Sequence, residues 1–232
     1  MSSSTSSVVS IPTSNKLGDC PGYVAKPQES TTMGVIILQE WWGVNDHIKS
    51  KGIKIAEELK AITIIPDLYR GQVATDHEHA GHLMHGLDWP GAIADILGAA
   101  KYLRSAHGCT KIGVTGFCMG GALTLAATAS QTDGTINAAS CFYGIPQMDV
   151  SKINVPVIAH FGELDDIKGF SDVEAANKLQ ESWKQNGVNG TVYIYPGCSH
   201  AFTNNTRPEV FNAEAYALSF ERMYDFFRTN LQ

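Results

Sequence analysis

Six short apolar, mostly β-branched runs punctuate the chain, at residues 34–39, 61–65, 111–115, 138–143, 156–161 and 191–195. Most are continuous in apolar character rather than alternating. That pattern predicts strands buried on both faces, as in a parallel sheet. Helical periodicity fills the intervals. Over 47–60 it sets Ile48, Gly52, Ile55, Ala56 and Leu59 on one face. Further helices are predicted over 90–106 (opening on Pro90), 119–130, 171–187 and 208–229, the last again opening on a proline. In the fourth, Ser171 stands as an N-cap with Glu174 three residues on, as in a capping box. Strands alternating with helices imply an α/β fold with a mostly parallel, doubly wound sheet.

Neither an internal repeat nor a mid-chain linker interrupts this alternation. The reading is one domain over 15–232, preceded by a disordered Ser/Thr-rich tail over 1–14. The longest irregular connection, from Gly71 to Asp88, is of the kind that overhangs a site in open α/β folds. The 232 residues are 44% hydrophobic and 17% charged, with a net charge of -6, an ordinary globular composition. No basic block occurs, which argues against nucleic acid as a partner. No apolar run approaches the roughly 18 residues that a bilayer crossing needs. The hydroxyl-rich start lacks a basic and then apolar leader, so a cytoplasmic location is expected. Five cysteines, an odd number without a C-x-x-C pair, fit a reducing compartment.

One of those cysteines carries chemistry. Gly116-Phe117-Cys118-Met119-Gly120-Gly121 joins a predicted strand to a predicted helix. Such a glycine-flanked turn lifts the central side chain above the sheet edge at a helix N-terminus. The partial positive charge there favours an ionised sulfur, and the Met119 N–H could hold an oxyanion. Standing alone, the motif fits a buried cysteine in a tight turn equally well. Two later loops change the balance. Gly162-Glu163-Leu164-Asp165-Asp166 follows one predicted strand, and Pro196-Gly197-Cys198-Ser199-His200 follows the next. Nucleophile, acid and base then fall in the order that α/β-hydrolases use, with Asp165 or Asp166 as acid and His200 as base.

With Gln39-Glu40-Trp41-Trp42-Gly43-Val44-Asn45, Pro66-Asp67-Leu68-Tyr69, Phe142-Tyr143-Gly144 and Gly197-Cys198-Ser199-His200-Ala201-Phe202 added, the chain resembles the dienelactone hydrolase (carboxymethylenebutenolidase-like) family from about Gly34 to the final helix. The resemblance implies an α/β-hydrolase fold and hydrolysis of a small ester or lactone through a thioester on Cys118. It implies a triad of Cys118, His200 and Asp165, with Asp165 at the family's acid position. Glu40 would interact with the resting thiol. A carboxylate there works against thiol ionisation until substrate rearranges the site. The N–H groups of Trp41 and Met119 would form the oxyanion hole. Tyr143, Phe202 and Trp89 are candidates to line the substrate pocket. No metal or organic cofactor is implied, and the molecule is expected as a monomer or homodimer.

Two arginines that hold the substrate carboxylate in bacterial members lack direct counterparts. Asn204 stands where one is expected, and residues 71–89 contain none, although Arg70 and Arg207 lie nearby. The histidines at 77, 79, 82 and 85 share a helical spacing that could bind a metal, but a polar lid is the favoured reading. The glycine-rich turn lacks the G-K-[ST] of a phosphate loop. The competing functional class is a non-catalytic or redox-regulated small-molecule binder that retains the site.

Overall fold

In a computed structural model, described over residues 4–232, the chain forms eight strands and six helices. In order they are β1 (Thr5–Ile11), β2 (Cys20–Lys26), β3 (Met33–Leu38), α1 (Asp46–Leu59), β4 (Ile62–Pro66), α2 (His77–His85), α3 (Trp89–His107), β5 (Lys111–Phe117), α4 (Met119–Ser130), β6 (Ala138–Phe142), β7 (Val157–Gly162), α5 (Val173–Gln185), β8 (Gly190–Tyr195) and α6 (Ala213–Leu231). All lie in or on one sheet of order β1-β2-β4-β3-β5-β6-β7-β8. From β4 to β8 neighbouring strands are parallel, while β1–β2 and β2–β4 are antiparallel. This is the mostly parallel α/β sheet expected from the alternation of runs, in the α/β-hydrolase form that the family resemblance implies. Strands β3, β4, β6 and β7 are buried along their full length, which is why their sequences are continuously apolar.

The chain starts the parallel sheet at β3, moves outward to β4, then crosses back to lay β5 on the other side of β3. Loops leaving the carboxyl ends of β3 and β5 therefore diverge and open a crevice between them. Ligand sites of open α/β sheets form at such switch points. Helices α1 and α6 pack together on one face, and α3 packs against α4 on the other. Helix α1 is fixed at its start by Asn45, whose side chain accepts from the Ile48 N–H at 3.1 Å.

Three departures from the sequence reading have physical causes. The segment expected to be a disordered tail contains β1 and belongs to the sheet. Its register runs from Thr5 opposite Lys26 to Ile11 opposite Cys20, so backbone pairing holds it where its side chains bury little. Residues 1–3 of that expected tail lie outside the described residues. The irregular connection after Gly71 contains α2, capped by Asp76, whose side chain accepts from the His79 N–H at 2.8 Å. The last helix begins at Ala213 rather than near Pro208, because Asn212 supplies its cap at 3.0 Å. Among the described residues no helix is long and apolar enough to cross a membrane.

Candidate active site

At the end of β5 the backbone turns through Cys118 with φ 56° and ψ -118°, and α4 begins at the next residue. A non-glycine residue held there costs roughly 1–3 kcal/mol, a strain typical of functional turns. The turn closes because Gly116 and Gly120 carry no side chains. A Cβ on Gly116 would run into the Gly120 carbonyl, and one on Gly120 into the backbone of Leu38 and Gln39. The Cys118 N–H is tied to the Phe142 carbonyl at 3.0 Å. Its side chain makes no capping bond, and the residue stands at the N-terminus of α4. Cys118 is partly exposed, whereas Cys20, Cys109, Cys141 and Cys198 are buried. Burial pushes the Cys20 and Cys141 thiols up to about 12 and Cys109 to about 11.

The loops after β7 and β8 bring an acid and an imidazole together. His200 Nδ1 lies 2.7 Å from Asp165 Oδ2. The other carboxylate oxygen accepts from the Ser171 hydroxyl at 2.8 Å and from the Ile167 N–H at 3.2 Å. Asp165 is buried, while Asp166 is exposed, so only the former can orient the ring. Ser171 Oγ is also 3.1 Å from His200 Nδ1. The hydroxyl expected to cap α5 is therefore engaged with Asp165 and His200, and Asp172 occupies the cap position. Nothing in the sequence distinguished this role from capping. Burial opposes a charged His200, but the bond to Asp165 and the pull of Cys118 outweigh it and push the ring up to about 10. Its Nε2 is buried without a partner.

Glu40 follows β3 and is also buried. One oxygen accepts from Asn204 Nδ2 at 2.8 Å, and the other has no partner. Burial raises its proton affinity, against the opposing charges of Lys51 and His200. Lys51 is a buried lysine on the core face of α1. Its Nζ donates to the Thr203 carbonyl at 2.8 Å and sits 4.7 Å from the Phe117 ring centre and 5.0 Å from that of Phe220. Burial lowers Lys51 to about 8, with Glu40 pulling the other way. Thr203 in turn bonds the Tyr143 hydroxyl at 2.7 Å. Lys51 and Thr203 were not foreseen as site residues. The available signal was a lysine on the apolar stripe of the first helix.

The Trp41 and Met119 N–H groups donate to no backbone carbonyl outside the helices and strands among the described residues. The Met119 side chain is locked by the Tyr69 hydroxyl, which donates to its sulfur at 3.2 Å. The Trp41 ring packs edgewise on Trp42 and His77 at 5.2 and 5.8 Å. Trp89 lines a cleft of about 700 Å³ beside the site. Tyr143 and Phe202 do not line it. Both are fully buried and brace the imidazole from behind, Tyr143 at 5.1 Å from the His200 ring and Phe202 at 5.5 Å from Tyr143. Arg70 cannot serve as a substrate anchor. It is committed to the buried Asp95 by two bonds of 2.8 and 3.0 Å. The histidines of α2 diverge, His77 toward the tryptophans and His85 toward the cleft. Among the described residues no three His, Cys, Asp or Glu side chains converge as metal ligands.

Residues 20–231 match the model of the dienelactone hydrolase family. The chain belongs to that family. This family member is accordingly a hydrolase of the carboxylic-ester class. It is 34% identical to Protein usf of Aquifex pyrophilus over 207 residues, covering 82% of this chain and 85% of that one. It is 30% identical over 224 residues to an Aquifex aeolicus protein named, provisionally, a carboxymethylenebutenolidase, covering 91% and 94%. Among solved structures it superposes on a dienelactone hydrolase-like promiscuous phosphotriesterase from metagenomic libraries with a TM-score of 0.86 at 20% identity, covering 99% and 100%. That likeness concerns the fold.

Proposed function

We propose that this family member hydrolyses small esters or lactones with Cys118 as nucleophile, His200 as general base and acid, and Asp165 as the residue that orients His200. The observation that carries the reading is the Asp165–His200 contact of 2.7 Å in a site where Cys118 is the one partly exposed thiol. His200 takes the thiol proton, and the sulfur attacks the substrate carbonyl. The tetrahedral oxyanion is held by the Trp41 and Met119 N–H groups. Its collapse, with His200 protonating the departing alkoxide, forms a thioester on Cys118. Water then attacks the thioester while His200 removes its proton, and the acid departs as His200 returns the proton to the sulfur.

Glu40 restrains this chemistry in the resting enzyme. Its carboxyl group, buried behind the site, would engage the resting thiol until substrate rearranges the site. Asn204 holds the carboxylate by one oxygen only, at 2.8 Å, which leaves the other free to change partner when substrate enters.

The test is hydrolysis of 4-nitrophenyl acetate by the wild type and Cys118→Ala, with intact-protein mass spectrometry of the quenched wild-type reaction. Loss of turnover in the variant and an acetyl adduct on Cys118 are expected. Equal turnover by the two proteins would refute the assignment and favour a binding role for the retained site.

A further inference from the structure

The cleft beside the acid–base pair has a chemistry that narrows the substrate. Its volume is about 700 Å³, within the roughly 300–1,000 Å³ of small-molecule sites. Trp89 and Ile93 of α3, Met84 of α2, and Ile145, Met148 and Phe170 from the loops after β6 and β7 form its apolar walls. Two of these walls adjoin the reacting groups. The Phe170 ring lies 6.3 Å from the His200 ring. Ile145 follows Gly144, whose Cα packs so closely on the Cys118 carbonyl that a Cβ would collide with it. The Ile145 N–H donates to the Phe170 carbonyl at 2.8 Å, so the two walls move as one.

Charge is nearly absent from this surface. Of the side chains lining the cleft, only His85 is ionisable. The half-buried Arg70 is committed to Asp95 at 2.8 Å and the buried Lys51 to the Thr203 carbonyl at 2.8 Å, and neither lines the cleft. A substrate carboxylate seated against Trp89, Ile93, Met148 and Phe170 would lose water, and no lining lysine or arginine would pair with it, which is strongly unfavourable. The net charge of -6 adds to its exclusion.

We infer that the cleft binds the apolar part of an uncharged ester or lactone, with aromatic or medium-length aliphatic groups preferred and carboxylate-bearing substrates rejected. The inference rests on the proposed thiol hydrolase reading.

Two arms separate its failure from the failure of that reading. In the first, kcat/KM is measured for 4-nitrophenyl acetate, butyrate, hexanoate and phenylacetate and for the anionic 4-nitrophenyl hemiadipate, each normalised to its rate with hydroxide. Hexanoate is expected to exceed acetate, at up to about threefold per buried methylene, and to exceed the hemiadipate by at least about tenfold. Met148→Arg, at a rim position 40% exposed, is expected to shift the hemiadipate-to-hexanoate ratio about tenfold toward the anion. In the second arm, calorimetry on Cys118→Ala measures binding of unreactive N-phenyl hexanamide and of its ω-carboxylate analogue. Tighter binding of the neutral amide supports the inference even where no ester is turned over. Equal or tighter binding of the anion, or a wild type that favours the hemiadipate, overturns it and leaves the thiol chemistry standing.

Discussion

The Ser171 hydroxyl donates to the Asp165 carboxylate across 2.8 Å, on the oxygen that His200 leaves free. Both oxygens of Asp165 are thereby engaged, and its plane is set by groups on two sides. Ser171→Ala removes one of them. A buried hydrogen bond contributes about 0.5–1.5 kcal/mol, so kcat should fall roughly three- to tenfold. KM should stay nearly constant, because Ser171 does not line the cleft. Ser171→Thr keeps the hydroxyl and should restore most of the rate. A fall in thermal stability with unchanged kcat would assign Ser171 a structural role only.

Glu40 offers a direct test of restraint. Glu40→Gln removes the charge and keeps a side-chain oxygen that can accept from Asn204, which now lies 2.8 Å away. In the substrate-free enzyme, inactivation by iodoacetamide should accelerate, by about tenfold for a loss of roughly 1.4 kcal/mol of unfavourable interaction. An unchanged alkylation rate at fixed pH would remove Glu40 from control of the thiol.

Lys51 predicts a pH dependence of stability. Burial lowers its folded-state value to about 8, against 10.5 for an ordinary lysine. Between those values the unfolded chain holds a proton that the folded chain has released, so unfolding free energy rises with pH across that window. Lys51→Met removes this contribution. The stability of the wild type minus that of the variant should therefore climb by roughly 3 kcal/mol between about pH 8 and 10.5, read by urea unfolding. A flat difference would mean that Lys51 titrates normally. The variant should also lose activity, because Glu40 loses its nearest buried counter-charge and the Thr203 carbonyl its donor at 2.8 Å.

Arg70→Met separates structural from substrate-binding roles for that arginine. It strands Asp95, which is 1% exposed and keeps only Asn15 as a side-chain donor, at 2.9 Å. Breaking a buried pair in this way costs about 3–5 kcal/mol. A lowered melting temperature with unchanged KM for neutral and anionic esters is the expected result. A selective rise in KM for the anionic ester would return Arg70 to the site.

Strands β3, β4, β6 and β7 were legible because burial on both faces leaves an unbroken apolar run, as in Val35-Ile36-Ile37-Leu38, and β5 and β8 because their runs are rich in β-branched and aromatic residues. The loop order of Cys118, Asp165 and His200 was legible because each follows such a run directly. Strand β1 was not, since Thr5-Ser6-Ser7-Val8 owes its place to backbone pairing and Val8 stays 79% exposed. Ser171 was misread because a hydroxyl ahead of a helix serves a cap or a carboxylate with the same local sequence. The couplings of Lys51 to Thr203 and of Asn204 to Glu40 span 152 and 164 residues, beyond the reach of any local pattern.

The burial of four cysteines around one partly exposed thiol makes the native protein its own reporter. A bulky maleimide dye added to folded enzyme should mark a single position without any cysteine having been engineered away. The stoichiometry of that labelling counts functional molecules in a preparation. A second equivalent taken up on warming would announce that one of the four buried thiols has become accessible as the fold loosens, before activity is assayed.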